Sequence, residues 1–251
     1  MNDLHGRTAL VTGSTRGIGR AVALELAAAG ARVAVHGRSA TTAAETAAVL
    51  AAEGRHAGTF LANLSEPTAA AALARDVESR LPEVDILVAV AGADVLTGPA
   101  ASWPFERKLA ELLQVDVVST MTLCRAVGRW MASRAGGAIV TIGWDQAETG
   151  MEGDSGELFA ATKAAVMGFT RSLARSLGPK VRVNCVAPGW IKTAWGEHAS
   201  DIWQQRAVRE SMLGRWGEPA DIAAAVRFLV SPDAAFVTGQ VVNVNGGFRR
   251  A

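Results

Sequence analysis

The feature that most constrains this chain is an alternation of two kinds of segment. Short β-branched runs occur at Thr8 to Thr12, Arg32 to His36, Ala57 to Leu61, Asp85 to Val90, Ala138 to Ile142, Val181 to Val186 and Val241 to Val244. Between them lie longer Ala/Leu-rich stretches: Gly17 to Ala29, closed by Gly30, then Ala40 to Ala52, Glu66 to Arg80, Trp103 to Met131, Ser155 to Leu177 and Ala220 to Leu229. Strand-length runs separated by helix-length runs predict a parallel sheet with crossover helices. The strand runs are apolar throughout rather than alternating, which predicts a sheet covered on both faces. The expectation is one α/β domain over residues 1–251, doubly wound around a seven-stranded parallel sheet. The stretch 189–216 has no clean periodicity and holds Trp190, Trp195, Trp203 and Trp216, and it is expected to form a substrate lid.

Composition narrows the function classes. A length of 251 residues with 49% hydrophobic and 20% charged residues suits a single large globular domain. A formal net charge of +1 gives no broad field to draw nucleic acid or an anionic membrane. Cys124 and Cys185 are far apart and have no metal-ligand spacing, so they read as packing residues in a reducing compartment, and no metal site is expected. The polar start Met1-Asn2-Asp3-Leu4-His5 does not read as a signal peptide, and no apolar run approaches the ~20 residues of a membrane span. A cytoplasmic location is expected.

The strongest motif joins the first strand to the first helix: Thr12-Gly13-Ser14-Thr15-Arg16-Gly17-Ile18-Gly19. Glycines at these places allow positive φ and let the backbone approach a pyrophosphate, whose charge meets the helix N-terminus. Such a loop alone could be a tight turn, but between a strand and a helix it predicts the dinucleotide site of a Rossmann domain. The end of the second strand reads His36-Gly37-Arg38, with no carboxylate until Glu45. An acid there would bind a ribose hydroxyl and repel a 2′-phosphate, whereas Arg38 and Arg16 can grip the phosphate. NADP(H) is therefore expected rather than NAD(H), unless both arginines are only solvated surface charges.

With these motifs in place the chain resembles the short-chain dehydrogenase/reductase family, especially its β-ketoacyl-carrier-protein-reductase-like branch. The resemblance extends through Asn184-Cys185-Val186-Ala187-Pro188-Gly189, Thr193, Gly214-Arg215-Trp216-Gly217-Glu218-Pro219, Thr238-Gly239-Gln240 and Val244-Asn245-Gly246-Gly247. It implies cofactor contacts from Gly13, Ser14, Thr15, Arg16, Gly17, Ile18, Gly19, Arg38, Asn63, Leu64, Ala91, Gly92, Lys163, Pro188, Gly189, Ile191 and Thr193. It also implies self-association, as a tetramer or dimer, through the two long helices.

The resemblance breaks at the catalytic residues. The family uses an Asn–Ser–Tyr–Lys tetrad, with tyrosine four residues before lysine. Here that segment is Phe159-Ala160-Ala161-Thr162-Lys163, and the whole chain has no tyrosine. Trp144 stands at the serine place, in Ile142-Gly143-Trp144-Asp145-Gln146, and Asp116 at the asparagine place. A positioned general acid contributes typically ~10²–10⁴-fold, so ordinary ketone reduction by the family route should be feeble. Asp116 and Asp145, with Lys163, are the candidate catalytic residues, acting as charge partners or proton donors. As alternatives, Asp116 could simply pair with Lys163, Asp145 could cap a turn, and the tryptophans could pack the lid. The resulting expectation is an NADP(H)-dependent oxidoreductase for an activated small molecule, iminium, pterin-like or conjugated. A non-redox lyase or cyclase, or a catalytically silent NADP-binding protein, remains as an alternative.

Overall fold

A computed structural model describes residues 3–248. Seven strands form one parallel sheet in the order β3-β2-β1-β4-β5-β6-β7. They are β1 Thr8–Thr12, β2 Arg32–Gly37, β3 His56–Leu61, β4 Ile86–Ala89, β5 Gly137–Ile142, β6 Val181–Pro188 and β7 Val241–Val244. The helices are α1 Gly17–Ala28, α2 Ala40–Ala52, α3 Ala69–Arg80, α4 Phe105–Leu112, α5 Thr120–Ala132, α6 Gly153–Leu177, α7 Ala194–His198, α8 Asp201–Glu210 and α9 Pro219–Val230. A single doubly wound domain therefore stands where the alternation predicted it.

Strand geometry sends successive side chains to opposite faces, and both faces are apolar here. Ala9, Val11, Val33, Val35, Ile86, Val88 and Val140 pack on Val22 and Leu26 of α1, Leu50 of α2, and Ile222 and Val226 of α9. The interleaved residues Leu10, Ala34, Phe60, Leu87, Ile139 and Val183 pack on Val77 of α3, Leu123 and Val127 of α5, and Leu173 of α6. This parity explains why the strands look uniformly hydrophobic. Each fully buried Leu, Ile or Val contributes roughly 1.5–3 kcal/mol.

Several boundaries differ from the expectation. The stretch Trp103 to Met131 is not one regular helix: α4 passes into a π-helical segment, Leu113–Ser119, before α5. The third helix begins at Ala69 rather than Glu66, and β6 continues to Pro188. Residues 189–216, the stretch expected to form a lid, contain the helices α7 and α8.

The strand order reverses between the paired neighbours β1 and β4, so the connections leaving them run to opposite faces and a crevice opens at their carboxyl ends. Thr12 spans it: its Oγ1 accepts the N–H groups of Val90 and Ala91, each at 3.0 Å. The loops that follow β1 and β4 are thereby held side by side.

Candidate active site

Three neighbouring chambers run along the carboxyl edge of the sheet, adjacent ones sharing part of their lining. The first, of about 360 Å³, is walled by Arg16, His36, Arg38, Asn63, Leu64 and Trp103. The second, about 550 Å³, is bounded by Gly13, Gly17, Gly19, Asp116, Lys163 and Thr193. The third, about 390 Å³, is enclosed by Trp144, Phe159, Lys163, Trp190, Trp195 and Trp203.

The glycine loop is built for close approach. Gly13 has φ +65°, and a Cβ there would lie 2.9 Å from Ala91 Cα. A Cβ on Gly19 would fall 2.1 Å from the Gly13 carbonyl oxygen, so α1 can begin this close to the loop only without a side chain. No side chain caps α1 and no acid occupies its first turn. Its leading N–H groups thus face the second chamber unclaimed by a cap, which suits an anion. His36 fixes the loop from β2: its Nδ1 accepts the Gly13 N–H at 3.1 Å, and its carbonyl accepts the Ser14 N–H. Burial lowers the His36 imidazole to about 4, keeping it neutral.

Most expected cofactor residues meet along these chambers: Arg16, Arg38, Asn63, Leu64, Ala91 and Gly92 around the first, Gly13, Gly17, Ile18 and Gly19 around the second, and Pro188, Gly189 and Ile191 around the third. Ser14 and Thr15 do not line them. Ser14 Oγ accepts the His36 N–H at 3.0 Å, and the Thr15 methyl lies over Gly37. Both side chains are engaged in joining the loop to β2.

Lys163 and Asp116 form a close pair, Nζ to Oδ1 2.7 Å, with side chains 13% and 2% exposed. The second Asp116 oxygen accepts the Ala93 N–H at 2.8 Å. The π-helical segment carries Asp116 into this position from the helix that faces α6. Such widened turns recur at functional sites.

Phe159 lies one turn before Lys163 on α6, and both line the second and third chambers. Trp144 meets Phe159 edge-on, ring centroids 6.5 Å apart. Gly143 precedes it because a Cβ there would press to within 2.9 Å of both Met167 and Cys185.

Asp145 departs from the expectation. Its carboxylate is buried and accepts the Asn245 amide at 3.0 Å and the Gln146 N–H at 2.9 Å. It lies beneath Gly189, where an added Cβ would come within 3.2 Å of Oδ2, and it does not line the chambers. Burial pushes this carboxyl up to about 6 against those two hydrogen bonds.

The four lid tryptophans cluster, with centroid separations of 5.5 to 6.3 Å. Trp190 Nε1 donates to Glu210 at 2.8 Å, and Arg206 joins Glu210 to Glu152 near the start of α6. Trp190, Trp195 and Trp203 face the third chamber, while Trp216 is buried behind them.

Sequence reasoning missed several lining residues. Asp94 pairs with Arg16 at 3.6 Å beside the first chamber. Burial alone would raise its carboxyl, but the Thr97 hydroxyl, two backbone N–H groups and Arg16 hold it below its ordinary value. Ser155 lines the third chamber, and its spacing of four before Phe159 was a signal available in the sequence.

The cradle and its arginines therefore fit a dinucleotide carrying a ribose phosphate, and a doubly wound fold with this site defines a nucleotide-dependent oxidoreductase architecture. Residues 13–249 match the family model described as enoyl-(acyl carrier protein) reductase. The 3-oxoacyl-[acyl-carrier-protein] reductase of Vibrio cholerae is 36% identical, over 98% of each chain. A 3-oxoacyl (acyl-carrier-protein) reductase from Agrobacterium tumefaciens C58, solved with NADP bound, superposes with TM-score 0.87 at 35% identity, covering 98% of this chain and 95% of that one. A 7α-hydroxysteroid dehydrogenase solved with NADH superposes with TM-score 0.88 at 32% identity, covering 99% and 96%. The chain belongs to the short-chain dehydrogenase/reductase family.

Proposed function

We propose that the protein is an NADP(H)-dependent oxidoreductase whose acceptor is an activated molecule (iminium, pterin-like or conjugated) rather than a simple ketone. The observation that carries this reading is Phe159: its ring lines the chamber one helical turn from Lys163, in a chain without tyrosine. The bound cofactor supplies a hydride. The α1 N-terminus and the backbone of Gly13, Gly17 and Gly19 receive its pyrophosphate. Arg16 and Arg38 grip the 2′-phosphate, and the absence of an acid at the end of β2 leaves room for it. Lys163 binds the nicotinamide ribose, and Asp116 holds its ammonium in place. The Asp145 carboxylate supports Gly189 through Asn245 and is not assigned a proton-transfer role.

A positioned acid stabilises an alkoxide as it forms, and phenylalanine cannot do so. An acceptor whose reduced form is a weak base, or whose oxidised form is already strongly electrophilic, does without one. Reduction of a β-keto thioester, the kind of reaction named for the Vibrio cholerae relative, is the second reading, favoured by 36% identity over nearly the whole chain. NADPH oxidation measured against β-keto esters, imines and pterins separates the two. Turnover confined to the activated compounds is expected, and comparable turnover of the keto ester would overturn the proposal. On this reading the enzyme is a cytoplasmic homo-oligomer assembled through the face of α6 and the long helical stretch before it, whose π-helical segment carries the exposed apolar residues Leu113 and Val118.

A further inference from the structure

The charge inventory of the third chamber narrows the acceptor further, on the basis of the reductase reading above. Among its lining side chains only Lys163 is ionisable. Asp116 reaches Lys163 from the second chamber, Asp145 is turned to Asn245, and Glu210 is held by Trp190 and Arg206. Among the described residues no carboxylate lines the space. Aromatic walls can hold a cation, but no free anion among the described residues stands beside them to complete the attraction: Lys163 is paired with Asp116 at 2.7 Å, and what it offers the space is its ammonium, a hydrogen-bond donor.

The walls also have a shape. Trp190 and Trp195 stack at 6.0 Å with 26° between planes, and Trp144 and Phe159 meet edge-on. The space of about 390 Å³ falls in the range that encloses a small planar molecule. Two groups that could bind an acceptor's oxygens, the Trp144 indole N–H and the Ser155 hydroxyl, have no hydrogen-bond partner among the described residues.

We propose that this chamber takes a neutral, planar, conjugated dione of the quinone class, with one carbonyl oxygen toward Lys163 and its ring against the tryptophans. The step balances: the donor's C–H bond breaks, its hydrogen passes with the bonding electron pair, as one hydride, to the quinone, and a hydroquinone anion forms. That anion takes one proton from water to give the hydroquinone, leaving the nicotinamide oxidised. A phenol ionises near ~10, against ~15.7 for water. The product anion is thus nearly six orders of magnitude less basic than an alkoxide of water-like basicity, by roughly 5.7 units. It needs no buried acid, so phenylalanine at position 159 is compatible with turnover.

The test uses the full-length protein with NADP+ or NADPH and phenanthrenequinone as the probe. Phenanthrenequinone should quench tryptophan fluorescence saturably in the NADP+ complex and should be reduced at the expense of NADPH. Trp203→Ala should raise its KM about tenfold, the scale of one aromatic contact, and Trp203→Phe should restore it. Quenching that is not saturable, or reduction of a biopterin or an N-methyl-dihydroisoquinolinium ion while the quinone is refused, overturns the quinone assignment and leaves the reductase reading intact. Failure of NADPH itself to bind overturns that reading instead.

Discussion

At the scale of single residues, the proposed function separates hydride delivery from proton delivery. Phe159 and Trp144 occupy the places where the resemblance puts hydroxyls, and Lys163 keeps its own. Restoring both hydroxyls with Phe159→Tyr and Trp144→Ser should therefore create ketone reduction, by roughly 10²-fold or more over the parent, read as NADPH consumption with ethyl acetoacetate. Asp116→Asn leaves the Lys163 ammonium without its counter-charge, which should destabilise the fold by about 3–5 kcal/mol in denaturant melts. Asp145 titrates in the opposite sense from most surface acids. Its folded value of about 6 lies above the unfolded 3.8, so the folded state binds the proton more tightly. Stability should fall as pH rises from about 4 to about 6, by an amount on the order of 3 kcal/mol. The same melts on Asp145→Asn should lose that dependence. Lys163 and Phe159 were legible from their spacing, because positions four apart share a helix face. The orientation of Asp145 was not: it is fixed by Asn245, 100 residues further along the chain, and local spacing carries no such information.

At the scale of elements, the strand–loop–helix unit at the N-terminus is the part proposed to recognise the cofactor. Gly19→Ala would drive a methyl into the Gly13 carbonyl, and the loop would have to shift. Cofactor affinity should collapse while helical content measured by circular dichroism stays near normal. Arg38→Ala should weaken NADPH binding by roughly 10- to 100-fold, the worth of one charge-assisted hydrogen bond, and leave NADH binding unaffected. A fluorescence titration with both nucleotides checks this. The strands were readable because both faces of the sheet are buried, which leaves long apolar runs. The π-helical turn at Leu113–Ser119 was hidden inside an apparently regular helix, because one widened turn disturbs the apolar periodicity too little to register. The lid looked irregular because α7 has only 5 residues and α8 turns Ile202 and Val208 outward, which blurs an amphipathic pattern.

At the scale of the molecule, the sheet delivers the loops of the candidate site to one edge, so a cofactor held by the β1 loop and Lys163 would lie across β1 and β4 toward the third chamber. Assembly through the face that carries the π-helical segment should be lost in Val118→Glu, observed as a smaller sedimentation coefficient. The proposed chemistry requires a cradle for the hydride donor and no positioned proton donor beside it. Steady-state NADPH oxidation by the unmodified protein with ethyl acetoacetate, run beside a titration of NADPH binding, addresses both halves at once. Saturable NADPH binding with almost no keto-ester turnover is the predicted result. Turnover at the rate of tyrosine-containing relatives, or no NADPH binding, would contradict it.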